Sequence, residues 1–236
     1  MTNGTMRVAL FDIDGTILLA HGAGRRAMER ALLDVTGTPG PGGQHYAGKT
    51  DRQIVREAMR ANGFSDADVN GHMPAILDLY LSSLAAELAA AEHEPTFLLP
   101  GVVEILDACE AHDAVLLGLL TGNLIQGADR KLRAVNINPA RFVIGAFGSD
   151  HEDRPTLAAI ARERASGHLR RAVAGAQCVV IGDTPADVEC GLAIGARTIA
   201  VATGNYTADQ LRGTGAHLVL EDLADTPVVL DAILNV

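Results

Sequence analysis

A formal charge of −10 over 236 residues, with no basic cluster beyond pairs such as Arg25-Arg26 and Arg170-Arg171, excludes a nucleic-acid backbone as partner, because that needs a concentrated positive face. At 48% hydrophobic and 20% charged, the chain has the composition of a globular protein with one large domain or a domain carrying a sizeable insert. Its longest apolar run, Ala114 to Leu120, is too short to span a bilayer, so no membrane contact is expected.

The N-terminal segment lacks the charged, apolar and cleavage regions of a signal peptide, and a cytoplasmic location is expected. Cys109, Cys178 and Cys190 are odd in number and show neither metal-type nor redox-type spacing, so reduced, packed thiols are expected. Asn3-Gly4-Thr5 and Asn205-Tyr206-Thr207 match the glycosylation sequon, which carries no meaning without secretion.

The first element is the most informative. Arg7-Val-Ala-Leu10 runs into Phe11-Asp12-Ile13-Asp14-Gly15-Thr16, which reads as a buried strand delivering two carboxylates to its carboxyl end. In an open α/β sheet, ligands bind at that edge. Two aspartates so close together both stay ionised when a cation joins them.

About a hundred residues then separate Asp12 from the next strand at Ala114, several times what one crossover needs. Gly24–Thr36, Asp51–Ala61 and Met73–Glu92 have helical apolar spacing, carried for instance by Leu77, Leu81, Leu84 and Leu88. A helical domain inserted over residues 19–97 is expected, with Pro100-Gly101 as the re-entry hinge and residues 1–18 and 98–236 forming the core. Within the insert, Gly43 to Thr50 fits the phosphate-loop pattern G-x-x-x-x-G-K-[ST]. Gly37-Thr-Pro-Gly-Pro-Gly-Gly before it cannot form the strand such a loop requires, so the match is read as chance and Thr50-Asp51 as a helix start.

Five further strands are expected at Ala114–Leu120, Arg141–Phe147, Gln177–Ile181, Thr198–Ala202 and His217–Leu220, most of them separated by helix-length segments. Such alternation implies a doubly wound α/β core, a parallel sheet with helices on both faces, carrying the inserted helical cap. Four strand ends bring complementary groups together. Thr121 ends the second strand, and Arg154 follows the third, with Pro155 placed to open a helix. Asp183 and Asp187 lie in Gly-Asp-Thr-Pro-Ala-Asp after the fourth. Carboxylates from two loops suit magnesium, and a cation and a hydroxyl beside it suit a transferring phosphoryl group. The acidic His151-Glu152-Asp153 reads as a solvated loop, and Cys190 as packing a helix on the sheet.

Asp-Ile-Asp-Gly-Thr, Leu-Thr-Gly-Asn and Gly-Asp-Thr-Pro-Ala-Asp, in that order, make the chain resemble the haloacid dehalogenase-like hydrolases over nearly its whole length, in the phosphoglycolate-phosphatase-like branch with a helical cap. The resemblance implies that Asp12 attacks phosphorus and that Asp14 protonates the leaving oxygen and later takes a proton from water. It implies phosphoryl-oxygen binding by Thr121, Gly122 and Asn123, and a magnesium ion held by Asp12, the Asp14 carbonyl and Asp183, with Asp187 acting directly or through water. The family generally has a lysine in its third motif; Arg154 is the expected counterpart here. Lys131 is the alternative, set two or three turns into the helix after Thr121 and read as pointing away from the edge. Lys49, in the cap, is a possible contact for the distal part of the substrate; a Schiff-base role, as in phosphonoacetaldehyde-cleaving relatives, has no supporting context. Halide-releasing relatives lack the second acidic group that Asp14 supplies.

The implied function is magnesium-dependent hydrolysis of a small-molecule phosphate ester through an aspartyl-phosphate. The alternatives are a phosphosugar mutase of the same architecture and a non-catalytic phosphate-binding protein. Nothing in the chain fixes the ester or the oligomeric state.

Overall fold

The computed structural model describes residues 6–90 and 94–235. The sequon at Asn3 and the expected helix end at Glu92 lie outside the described residues. Strands β1 (Arg7–Phe11), β2 (Leu18–Leu19), β3 (Phe97–Leu98), β4 (Val115–Thr121), β5 (Ile144–Phe147), β6 (Cys178–Gly182), β7 (Arg197–Val201) and β8 (Leu218–Leu220) build two sheets. The larger has the order β5-β4-β1-β6-β7-β8, and its ladders are all parallel. The smaller pairs β2 with β3 antiparallel, Leu18 opposite Leu98.

Strand β1 is buried on both faces, which is why it reads as a continuous apolar run. Ala9 and Phe11 face a layer formed by α4 (Val102–Glu110), α5 (Ile125–Ala134) and α9 (Thr226–Asn235). Val8 and Leu10 face the opposite layer, formed by α6 (Arg154–Leu169) and α7 (Pro185–Ala193), where Cys190 packs as expected. The short α8 (Ala208–Arg212) packs Leu211 against Val188 and Ala200.

Between β2 and β3 the chain leaves the sheet to form α1 (Ala23–Thr36), α2 (Asp51–Ala61) and α3 (Asp66–Ala89), which share a core of their own. Leu124, three residues past β4, joins that core, so the insert sits on the sheet's carboxyl end.

Two expected elements are corrected. Helix α3 begins at Asp66, not Met73, because Ser65 and Asp68 form a reciprocal capping box that starts the helix seven residues earlier. Pro74 lies inside it, and the exposed polar first turns hide the apolar spacing. The strand expected from Arg141 begins only at Ile144, because Pro139–Arg141 closes into a 3-10 turn capped by the Asn138 side chain.

Winding runs from β1 through β4 to β5, then returns to the other side of β1 for β6, β7 and β8. The carboxyl ends of β4, β1 and β6 therefore meet at the point where the strand order reverses, the expected position of a ligand crevice.

Candidate active site

Asp12 is the first residue beyond β1, and its N–H still donates to the Ile181 carbonyl of β6 at 2.9 Å. The chain then turns through Gly15, whose φ of +83° suits glycine. A Cβ on Gly15 would stand 2.3 Å from the Asp183 carboxylate, and one on Gly204 would stand 1.7 Å from it. Asp183, just past β6, is thus cradled between two backbone segments that carry no side chain.

Asp187 is the third residue of α7 and does two things. One carboxylate oxygen accepts from the Thr184 N–H at 3.0 Å and from its hydroxyl at 2.6 Å, closing a capping box. The other pairs with Arg154, the first residue of α6. The same Arg154 Nη2 lies 3.1 Å from Asp12 Oδ1. Arg154 is 5% exposed, and its Nε has no hydrogen-bond partner among the described residues. Burial works against its charge, but Asp187 and Asp12 more than offset this and push its pKa up.

The carboxylates are perturbed in the opposite sense. Burial, reinforced by Asp187 and Asp14 and opposed by Arg154, raises Asp12 to about 7. Burial and the charges of Asp187 and Asp12 also raise Asp183 well above the usual carboxylate range. Asp12, Asp183 and Asp187 each place an oxygen within 4.8 Å of the others. Three buried carboxylates against one guanidinium leave an excess of negative charge, and all the donors are hard oxygens. Both features fit a divalent cation that prefers oxygen ligands.

Thr121, the last residue of β4, is fully buried, and its Oγ1 accepts from Asn123 Nδ2 at 2.9 Å. The other Asn123 amide hydrogen goes to Asp14 Oδ2 at 2.7 Å. The Asn123 side chain, expected to hold phosphoryl oxygens, is here committed to Asp14 and Thr121, because both of its donors are engaged.

Lys131 also differs from the sequence reading. Its Nζ donates to both Asp14 oxygens, at 2.8 and 2.6 Å, and to Asn123 Oδ1 at 2.7 Å, and the residue is 4% exposed. It does not point away from the edge. Ala128, Lys131 and Leu132 share the buried face of α5, and a helical side chain leans toward the helix N-terminus, so a long one two turns in reaches back to the strand end. That spacing was the available signal. The cation beside Asp12 is Arg154, and Lys131 belongs to Asp14.

Asp12, Asp14, Thr121, Gly122, Asn123, Lys131, Arg154 and Asp183 line one pocket of about 500 Å³, while Asp187 is buried behind it. The cap supplies the opposite wall, including Arg25, Tyr46 and Lys49. The Arg25 guanidinium lies 4.0 Å from the centre of the Tyr46 ring, and Lys49 pairs with Glu57. No strand precedes the loop ending at Thr50; Thr50 is the cap of α2, its Oγ1 accepting from Gln53 N–H, as the helix-start reading expects.

The loop meets the core closely. Asp51 N–H donates to the Gly122 carbonyl at 2.9 Å, and Asp51 Oδ2 accepts from Leu124 N–H at 2.8 Å. The Thr50 hydroxyl donates to the Glu152 carbonyl at 2.7 Å. The acidic segment at 151–153 is accordingly not simply solvated: Glu152 pairs with cap residue Arg56 at 2.5 Å. Asp51 and its neighbour Tyr80 were not legible as site residues, since an aspartate at a helix start has an ordinary capping explanation.

The HAD-hydrolase-like family model matches residues 154–226, which hold Arg154, Asp183 and Asp187. The phosphoglycolate phosphatase of Pseudomonas putida is 27% identical over 226 residues, covering 93% of this chain and 78% of that protein. CbbY from Rhodobacter sphaeroides, solved in complex with phosphate, superposes with a TM-score of 0.72 at 18% identity, covering 94% of this chain and 96% of that one. A hydrolase from Pseudomonas syringae also gives 0.72, at 19% identity, covering 98% and 100%.

Proposed function

We propose that the chain is a haloacid dehalogenase-like hydrolase with a helical cap, and that it hydrolyses a small phosphomonoester through a phosphoaspartyl enzyme on Asp12, with magnesium as cofactor. The observation that carries this reading is the convergence of Asp12, Asp14, Thr121, Arg154 and Asp183 on one pocket.

In the first half-reaction a carboxylate oxygen of Asp12 forms a bond to phosphorus as the ester P–O bond breaks, and the Asp14 carboxyl gives its proton to the leaving oxygen. In the second, water attacks phosphorus and gives a proton to Asp14 as the bond between phosphorus and the Asp12 oxygen breaks, which releases inorganic phosphate and restores both residues. Arg154, fixed by Asp187, holds positive charge beside Asp12, where the phosphoryl oxygens collect charge. The Thr121 hydroxyl and the backbone at Gly122 hold the remaining oxygens. Asp12, Asp183 and the backbone carbonyl of Asp14 would hold magnesium, with Asp187 acting through water because Thr184 and Arg154 already engage it. When bound, the ion supplies charge that lets a carboxylate approach an anionic phosphate.

A pocket of about 500 Å³ suits a small ester. Phosphoglycolate, named in the Pseudomonas putida relative, belongs on the test panel beside sugar phosphates, nucleoside monophosphates and p-nitrophenyl phosphate. Inorganic phosphate release is measured with magnesium and with chelator. Asp12→Asn is expected to abolish release while circular dichroism and the thermal midpoint persist. Substantial magnesium-dependent turnover by that variant would remove Asp12 as nucleophile, and an isomerised sugar phosphate without free phosphate would indicate the mutase.

A further inference from the structure

The mechanism assigns Asp14 a proton-transfer role but leaves the buried ammonium group beside it without one. Asp14 is a half-exposed side chain, 43% accessible and open to the pocket, and such a carboxylate ordinarily samples several rotamers. Here three hydrogen bonds fix its plane: two from Lys131 Nζ and one from Asn123 Nδ2. Lys131 in turn anchors Asn123 through Oδ1, so the three side chains close a ring.

All three helices of the cap come close to the buried Lys131. A Cβ on Gly24 of α1 would lie 3.5 Å from Lys131 Nζ and 3.9 Å from the Tyr80 hydroxyl of α3. Asp51, on α2, faces Lys131 and is hydrogen-bonded by Tyr80 and by the Leu124 N–H. All three cap helices thus close over this one ammonium group. A lysine this deeply buried is rare unless its donors are satisfied, and here they are satisfied by Asn123 and by Asp14, the residue proposed to move the proton.

We propose that Lys131 is a positioning residue: with Asn123 it aims the Asp14 carboxyl at the leaving oxygen, and the docked cap holds Lys131 in place to do so. The proposal rests on the phosphatase reading. Lys131 keeps its own protons throughout; the proton that reaches the leaving oxygen is that of Asp14.

An ester whose leaving group needs no proton provides the test. In single turnovers with enzyme in excess, the rate of leaving-group release is measured for p-nitrophenyl phosphate, which expels a stable phenolate, and for glycerol 2-phosphate, which expels an alkoxide. Lys131→Met is expected to slow glycerol release by roughly 100-fold or more, within the range general acid catalysis supplies, and nitrophenol release by less than about tenfold. Lys131→Arg is expected to recover most of the loss on the glycerol ester. Equal losses on both esters would overturn the proposal and leave Lys131 a structural residue. If Lys131→Met does not fold by circular dichroism, the same ratio read on Lys131→Gln decides. A wild-type protein inert toward both esters and toward every other ester of the panel would instead overturn the phosphatase reading, and the proposal with it.

Discussion

Replacing Arg154 by methionine keeps most of the volume and removes the guanidinium that, among the described residues, pairs with both Asp12 and Asp187. Arg154, Asp12, Asp183 and Asp187 are each 5% exposed or less, so solvent does little to screen the change. Removing one partner of a buried pair typically costs about 3–5 kcal/mol. Asp12 already sits at about 7 with the guanidinium present, so without it one carboxylate takes up a proton near neutral pH and the expected loss falls to the lower end, about 3 kcal/mol. For a chain of this size that is a drop of roughly 6–12 °C in the thermal midpoint. Urea unfolding of chelator-treated wild type, Arg154→Met and Arg154→Lys at pH 7 tests the magnitude, with the lysine variant recovering part of the loss. Magnesium at a hundredfold excess over its dissociation constant stabilises by about 2.7 kcal/mol, and the methionine variant is expected to gain more from it than wild type does. A chelator-treated Arg154→Met within about 1 kcal/mol of wild type would refute the view that this guanidinium neutralises the acidic cluster.

Two more outcomes follow from the geometry. Asp51 is raised from 3.8 to about 6, chiefly by burial, so its contribution to stability is full below about pH 4 and is lost as pH rises through about 6. Relative to Asp51→Asn, wild type is therefore expected to lose up to about 3 kcal/mol between pH 4 and pH 7 in urea unfolding, and a flat difference would contradict the burial argument. Gly204→Ala puts a Cβ where the Asp183 carboxylate now lies, 1.7 Å from Oδ2. The magnesium concentration that half-saturates the rise in thermal midpoint should increase at least about tenfold, roughly 1.4 kcal/mol. An unchanged value would show that Asp183 does not hold the ion.

The sheet and its edge were legible because their signals are local. An apolar run ending in Asp-x-Asp-Gly is both the strand and the pair of carboxylates at its end, and Arg154 announced itself by following a strand and preceding a proline. The exceptions depended on partners far away in sequence. Lys131 could be placed only by following the phase of α5 and allowing for the backward lean of a long side chain. Asp51 reads as a helix-start residue in isolation, and only the contact with Leu124 shows that the cap docks through it. Helix α3 begins on a capping box whose first turns carry almost no apolar spacing, so periodicity alone starts it too late. The Arg56 pair that ties down Glu152 comes from 96 positions away.

The ribbon of β2 and β3 has a consequence for how such proteins diversify. Leu18 and Leu98 lie directly opposite each other, so the polypeptide departs from the sheet and rejoins it at a single place. Whatever is spliced between those positions costs the sheet little beyond the entropy of closing a loop, which grows only slowly with length. A foreign helical module grafted at this junction would therefore leave the sheet and the Asp12, Arg154 and Asp183 cluster in place and present a different wall to the pocket. It would, however, have to reproduce the Asp51 contacts with Gly122 and Leu124 that seat the present one on the edge.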